Sequence, residues 1–268
     1  MTPMGLPFFH VDAFTDRAFG GNPAAVYVLK APRTIAWMQK VAGEMNLSET
    51  AFAVIRNDGG FDLRWFTPTT EVDLCGHATL ASAHVLWERR HVPIGEAIRF
   101  ETKSGRLSVR RIKGGWIEMD FPSEPDEPVL PPDALLAALS ETPIYVGRNR
   151  IDYIAQLDNA ELVRMLTPDP VKVAMLGGRG LIVTAEGRDT KYDFISRFFA
   201  PQAGIPEDPV TGSAHCCLGP FWQKRLGKDL LTGYQASARG GEVRVVVGSM
   251  RVLISGMAVT VAEGQLFA

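Results

Sequence analysis

Short apolar runs broken by Gly, Pro and Asn dominate this chain, and they mark a succession of strands with few helices. Residues 6–14 and 24–29 read as strands on either side of the turn sequence DRAFGGNP. Asn22 in that turn is either a plain turn residue or a side-chain donor to a ligand. Thr34 is placed to N-cap a helix whose Ile35, Met38, Ala42 and Met45 form a core face. Residues 46–55, NLSETAFAVI, run from a loop into a strand, and residues 61–66 form another. Residues 76–88 carry small or apolar side chains nearly all round. A helix of that composition is buried on most sides and is expected to run through the middle of a curved sheet. Strands follow at 98–109 and 116–121, with turns at Ser104-Gly105 and Gly114-Gly115. The Pro- and acid-rich stretch 122–133 reads as a boundary. Beyond it come a short helix (134–139), strands at 144–146 and 153–157, a helix at 160–166, and strands at 180–185 and 192–199. The stretch EDPVTGSAHCC (207–217) reads as a turn opening a second buried helix, and residues 240–266 as three antiparallel strands.

One pattern occurs twice. RWFTPTTEVDLCGHATLASAH begins at Arg64, and RFFAPQAGIPEDPVTGSAHCC begins at Arg197. Each has Arg, two aromatics, a small residue and Pro, then a short loop, then Gly, a polar residue and Ala. Gly76-His77-Ala78 therefore answers Gly212-Ser213-Ala214. Such a repeat signals duplication into two halves. Each half would present one helix N-terminus, where unpaired N–H groups and the helix dipole favour an anion. The two termini are expected to face one cleft.

Composition narrows the class. The chain is 46% hydrophobic and 22% charged, ordinary for a globular protein, and its net charge of −2 comes with no basic block, which argues against a nucleic-acid partner. No apolar run reaches the ~18 residues of a membrane span. His10, Asp12 and Asp16 interrupt the start, so a signal peptide is not expected. Three Cys, two of them adjacent, make a poor disulfide framework and fit a cytoplasmic setting.

Glu49 is the only charge in its stretch, and its neighbours on one strand face would be Ala51, Ala53 and Ile55. A carboxylate on an apolar face is either functional or a strand-end group reaching water. His77 lies in the first turn of a helix, whose positive end disfavours an imidazolium, so it is expected to be neutral. Cys75 precedes the helix at Gly76, where a thiol pKa would fall. Paired thiols, one per half, would racemise a carbon, but residues 208–211 offer no Cys opposite Cys75, and all three Cys read as core. The five His show no metal-ligand spacing.

The segments VDAFTDRAFGGNPAAVYVL, NLSETAFAV, RWFTPTTEVDLCGHATLASAHVLW and EDPVTGSAHC, with the Gly-spaced strands at the end, resemble the phenazine biosynthesis PhzF-like isomerase family. The resemblance implies the diaminopimelate epimerase-like fold, an α+β architecture. It has two pseudo-symmetric halves, each a curved, mostly antiparallel, barrel-like sheet around a central helix. The halves would be residues 1–122, joined by a last strand at about 258–268, and residues 123–257. It also implies a homodimer without a cofactor, acting on a small-molecule carboxylate. By the motif match Glu49 corresponds to the acid/base, His77 and Asp208 to residues that shape and polarise the site, and Ser213 likewise. Gly76 and Gly212 correspond to backbone anion binders. Asn22, as a possible side-chain donor, is a further substrate-binding candidate. A buried Glu that takes and returns a proton near neutral pH suits such an isomerase. Two other readings stay open: a Cys-dependent racemase or epimerase, and a non-catalytic small-molecule binder on the same fold.

Overall fold

The computed structural model describes residues 5–188 and 190–268, so the first four residues of the expected first half lie outside the described residues. The chain divides into two compact units, one of residues 1–120 with 255–268, the other of residues 121–254.

The first unit opens with β1 (Leu6–Ala13), β2 (Asn22–Leu29), α1 (Ile35–Met45), β3 (Glu49–Ile55) and β4 (Phe61–Phe66). Then come β5 (Glu71–Val72), α2 (Gly76–Glu88), β6 (Ile98–Thr102), β7 (Gly105–Arg111) and β8 (Ile117–Pro122). The second unit contains β9 (Glu127–Pro128), α3 (Asp133–Leu139), β10 (Tyr145–Arg148), β11 (Asp152–Gln156), α4 (Ala160–Met165) and α5 (Pro170–Ala174). It continues with β12 (Gly180–Glu186), β13 (Phe194–Ala200), β14 (Ile205–Asp208), α6 (Gly212–Leu226), β15 (Leu230–Gln235), β16 (Gly241–Val247) and β17 (Arg251–Gly256). The last strand, β18 (Ala258–Leu266), pairs antiparallel with β1 and so belongs to the first unit.

Duplication is written in the strand pairings. In the first unit β1 and β2 are antiparallel, β2 and β3 parallel, β3 and β4 antiparallel, β4 and β6 parallel, β6 and β7 antiparallel. The second unit repeats that sequence of senses through β10, β11, β12, β13, β15 and β16. A parallel neighbour requires a crossover. The chain runs from β2 to β3 through α1, and from β11 to β12 through α4 and α5. The repeated Arg also does the same thing twice. Arg64 grips Glu71 with two hydrogen bonds of 2.7 and 2.8 Å, and Arg197 grips Glu207 with two of 2.6 and 2.8 Å. Each guanidinium lies over the second aromatic after it, Phe66 or Phe199. A bidentate fork holds both oxygens of a carboxylate in one plane, which fixes the short strand before each helix.

The two helices are the cores of their units. Eleven of the thirteen residues of α2 are buried, packed against β1, β2, β3 and β18. Its hydroxyls survive burial by bonding back one turn: Thr79 donates to the Cys75 carbonyl and Ser82 to that of Ala78. The other helix, α6, packs on β15 and β16 and carries Pro220 in its interior. Proline has no N–H for the carbonyl four residues back. That carbonyl, of Cys216, accepts instead from the Glu124 N–H at 3.0 Å.

Thr34 caps α1 as expected, its hydroxyl accepting from the Trp37 N–H. The apolar face differs: Ile35 is exposed, and Val41 joins Met38 and Ala42 in the core. The expected strand 98–109 is a hairpin of β6 and β7 turning at Lys103-Ser104. The strand β15 was not expected, because LLTGYQ carries a glycine at its centre. Gly233 is there for close approach: a Cβ would stand 2.3 Å from the Phe194 ring.

Candidate active site

Each central helix begins without the usual cap. The N-cap side chains of α1, α4 and α5 (Thr34, Asn159 and Asp169) all accept from their own helix. Those of α2 and α6, Cys75 and Thr211, do not. A first turn not closed by its own cap keeps donors for another acceptor.

In the first unit, four of the expected residues come together at the start of α2. Asn22 opens β2, Glu49 opens β3, and the parallel register sets Glu49 opposite Ala24. Gly76 and His77 are the first two helical residues. His77 Nε2 lies 3.0 Å from Glu49 Oε2, and His77 Nδ1 lies 3.1 Å from Asn22 Nδ2. In the neutral ring Nδ1 accepts from that amide nitrogen and the proton sits on Nε2, toward the carboxylate; a protonated ring carries hydrogen on both nitrogens and gives up the bond from Asn22. Glu49 Oε2 and His77 Nε2 are buried, yet at 3.0 Å neither makes an aligned hydrogen bond. A buried carboxylate oxygen without an aligned hydrogen bond carries a desolvation cost that nothing nearby fully offsets.

Two expectations about charge are corrected. Burial alone pushes the His77 imidazole down, but Cys75 and Glu49 push it up, and the result lies well above the ordinary histidine value. The reading of His77 as neutral weighed the helix dipole alone, and a full charge at contact outweighs a half charge at a helix end. Cys75 does not become a thiolate either. Burial raises its pKa, the Glu49 charge raises it further, and His77 only partly opposes. The thiol is buried, but it is no mere core filler: Sγ lies 3.5 Å from His77 Nδ1. Cys216 and Cys217 are buried in α6 as expected.

Glu49, Cys75 and His77 place one potential ligand atom each within 4.8 Å of one another, the only such cluster among the described residues. As a metal site it fits poorly: His77 Nδ1 faces the Asn22 amide, and burial favours the thiol over the thiolate at Cys75.

In the second unit, Asp208, Gly212 and Ser213 gather at the start of α6. The Thr211 hydroxyl donates to Asp208 Oδ2, and the Thr211 N–H donates to Gln235 Oε1 at 2.9 Å. Gln235 Nε2 returns a bond to the Asp208 carbonyl at 2.7 Å. His215, one turn in, is pushed by burial down to about 4 and stays neutral, its Nδ1–H donating to the Thr211 carbonyl.

Two residues here were not foreseen. Arg179 reaches Ser213, Nη1 donating to Oγ at 2.7 Å, and holds the buried Asp152 by both oxygens, Nε to Oδ1 at 3.0 Å and Nη2 to Oδ2. The signal existed. Arg179 stands alone before the apolar run GLIVTA, and Asp152 before YIA, as Glu49 stands before TAFAV.

The chain matches the sequence profile of the PhzC-PhzF family, described as phenazine biosynthesis-like protein, over residues 11–264. It is 53% identical to an uncharacterised isomerase of Halalkalibacterium halodurans, over 98% of this chain and 99% of that one. It is 48% identical to an uncharacterised isomerase of Pseudomonas aeruginosa, again over 98% and 99%. The crystal structure of a PhzF-family phenazine biosynthesis protein from Enterococcus faecalis superposes with a TM-score of 0.93 at 43% identity, covering 99% of this chain and all of that one. With the family's profile matched almost end to end and the diaminopimelate epimerase-like pairing of strands present in both units, the chain belongs to the phenazine biosynthesis-like PhzC-PhzF family.

Proposed function

We propose that this protein is a cofactor-independent isomerase that moves a proton between two carbons of a small carboxylic acid, with Glu49 as the one acid/base. Relatives at 53% and 48% identity bear the name isomerase. The observation that carries the mechanism is the buried, unaligned Oε2 of Glu49 beside His77. In the forward step the C–H bond next to an activated double bond breaks, its proton passes to Glu49, and the electron pair shifts along the conjugated chain. The same carboxyl group then returns the proton to the remote carbon. His77 holds Glu49 in place, Asn22 fixes the ring, and Asp208 orients the substrate's polar substituent. Backbone N–H groups at Gly76 and Gly212, with Ser213, bind carboxylate oxygen.

The duplication favours this over a two-thiol racemase. Phe66 and Phe199 correspond in the repeat and pair with Thr50 and Leu181. Gly180 is therefore the counterpart of Glu49, and Thr211, before Gly212, is the counterpart of Cys75. The second unit offers neither a second carboxylate nor a second thiol at these places. A single base that takes and returns a proton relocates it, whereas inverting one carbon calls for a donor on each face. The same reading takes a cytoplasmic homodimer as the working form.

The test is incubation in D₂O with a panel of conjugated small carboxylic acids and a metabolite extract, followed by mass spectrometry. Wild type is expected to isomerise its substrate with deuterium entering the product carbon, and Glu49→Gln to do so hundreds of times more slowly. Turnover by Glu49→Gln within a few-fold of wild type ends the assignment.

A further inference from the structure

The Asp152–Arg179–Ser213 chain has a direction that charge neutralisation alone does not explain. Asp152 is wholly buried and is already satisfied by the fork of Nε and Nη2. Nη1 is left over from that pair, and it is spent on Ser213. The other inner arginine of this unit spends its corresponding atom differently: Arg197 Nη1 faces the carbonyls of Val163, Arg164 and Leu166, a wholly internal use.

The consequence is chemical. A guanidinium has donors and no acceptor, so Ser213 Oγ must accept from Nη1. The hydroxyl proton is then directed away from Arg179 and free to donate, one lone pair of the oxygen being already taken. Ser213 is half-buried in an otherwise buried first turn, and Arg179 is about a third exposed, so both remain open to a solute. Arg179 thus converts an adaptable hydroxyl into a fixed donor, polarised by the adjacent positive charge.

We propose that Arg179, anchored by Asp152, is a positioning residue that commits Ser213 to donate to a carboxylate oxygen of the substrate. It rests on the reading above of a small carboxylic acid as substrate. The second unit then supplies the anion grip, and Arg179 stands next to Gly180, the place where the first unit carries its acid. A carboxylate is preferred over its neutral amide, because the Arg179 charge stands next to Ser213 and the hydroxyl proton is turned away from it.

The experiment is an NMR titration with sodium benzoate, and separately with benzamide, following the amide signals of Ser213 and Ala214. Wild type is expected to bind benzoate at least about tenfold more tightly than benzamide. Because Arg179→Gln alone leaves Asp152 buried and unpaired, the variant used is Asp152→Asn/Arg179→Gln, which removes both charges. It should melt close to wild type and lose the preference, while Arg179→Lys recovers only part of it. Benzoate affinity within twofold of wild type in the folded double variant overturns the proposal. Should that variant not fold, Ser213→Ala decides, since it leaves the ion pair intact: retained preference overturns, lost preference supports. Wild type that shows no shift at Ser213 also overturns it. Glu49→Gln is expected to bind benzoate like wild type, so a failure here and a failure of the proton-transfer assignment are read separately.

Discussion

The two units share their strand senses, their buried helix and their Arg–Glu fork, and they part company at the first turn of that helix. Where the first has Glu49, the second has Gly180; where the first has Cys75 and His77, the second has Thr211 and Ser213. Ala24, opposite Glu49, is answered by Asp152, opposite Gly180. One copy keeps a proton-transfer group against an imidazole. The other keeps an arrangement of guanidinium, hydroxyl and backbone N–H groups. Duplication supplied two similar scaffolds, and at the start of the central helix they carry different residues able to act on a substrate.

The largest break is expected from Glu49→Gln, which keeps the shape of the side chain but accepts no proton. Loss of a general base costs roughly 10²–10⁴-fold in rate. Steady-state kinetics on the identified substrate should place the loss in kcat, with KM moving far less.

Next comes stability in the second unit. Arg179→Gln strands the wholly buried Asp152 and should cost about 3–5 kcal/mol in urea unfolding. Asp152→Asn should cost less, because the partly exposed guanidinium can turn to water. Equal costs would mean that the pair is not the buried-acid arrangement described.

How much of this comparison is legible in sequence follows from what each signal depends on. The repeat, the helices starting at Gly76 and Gly212 and the candidate Glu49, His77, Asp208 and Ser213 lie in local motifs, which a linear reading can find. Arg179 sits in GGRG and reads as a loop, since its meaning comes from Asp152 and Ser213, 27 and 34 residues away. The charge state of His77 was misread for the same reason: Glu49 is brought beside it only by the β2–β3 register. The hairpin of β6 and β7 and the strand β15 were blurred by short turns and a central glycine, whose reason is the Phe194 ring.

A smaller effect separates His77 from its counterpart. Its folded pKa is raised above the unfolded value of about 6.5, so the folded state holds the proton more tightly. That contribution is complete below the unfolded value and is lost as pH rises through the raised folded one. Relative to His77→Gln, wild type should lose urea resistance as pH climbs above about 6.5. A relative gain over that range would show His77 to be neutral in the folded protein.

The smallest effect belongs to Cys75. A thiol pushed up by burial takes no part in proton transfer near neutral pH, so Cys75→Ser should turn over within a few-fold of wild type. A loss comparable to that of Glu49→Gln would instead restore the racemase reading.

The pairing of β18 with β1 ties synthesis to folding. Leu6 lies opposite Leu266, so the first unit cannot be completed on the ribosome until residue 266 has emerged. Residues 121–254 are contiguous and can close earlier. At ~5–20 residues per second, β1 waits on the order of ten seconds with one edge bare, the condition in which nascent strands find wrong partners. The unit that carries Glu49 and His77 is therefore expected to be the last to become native, and the one most dependent on chaperones while it waits.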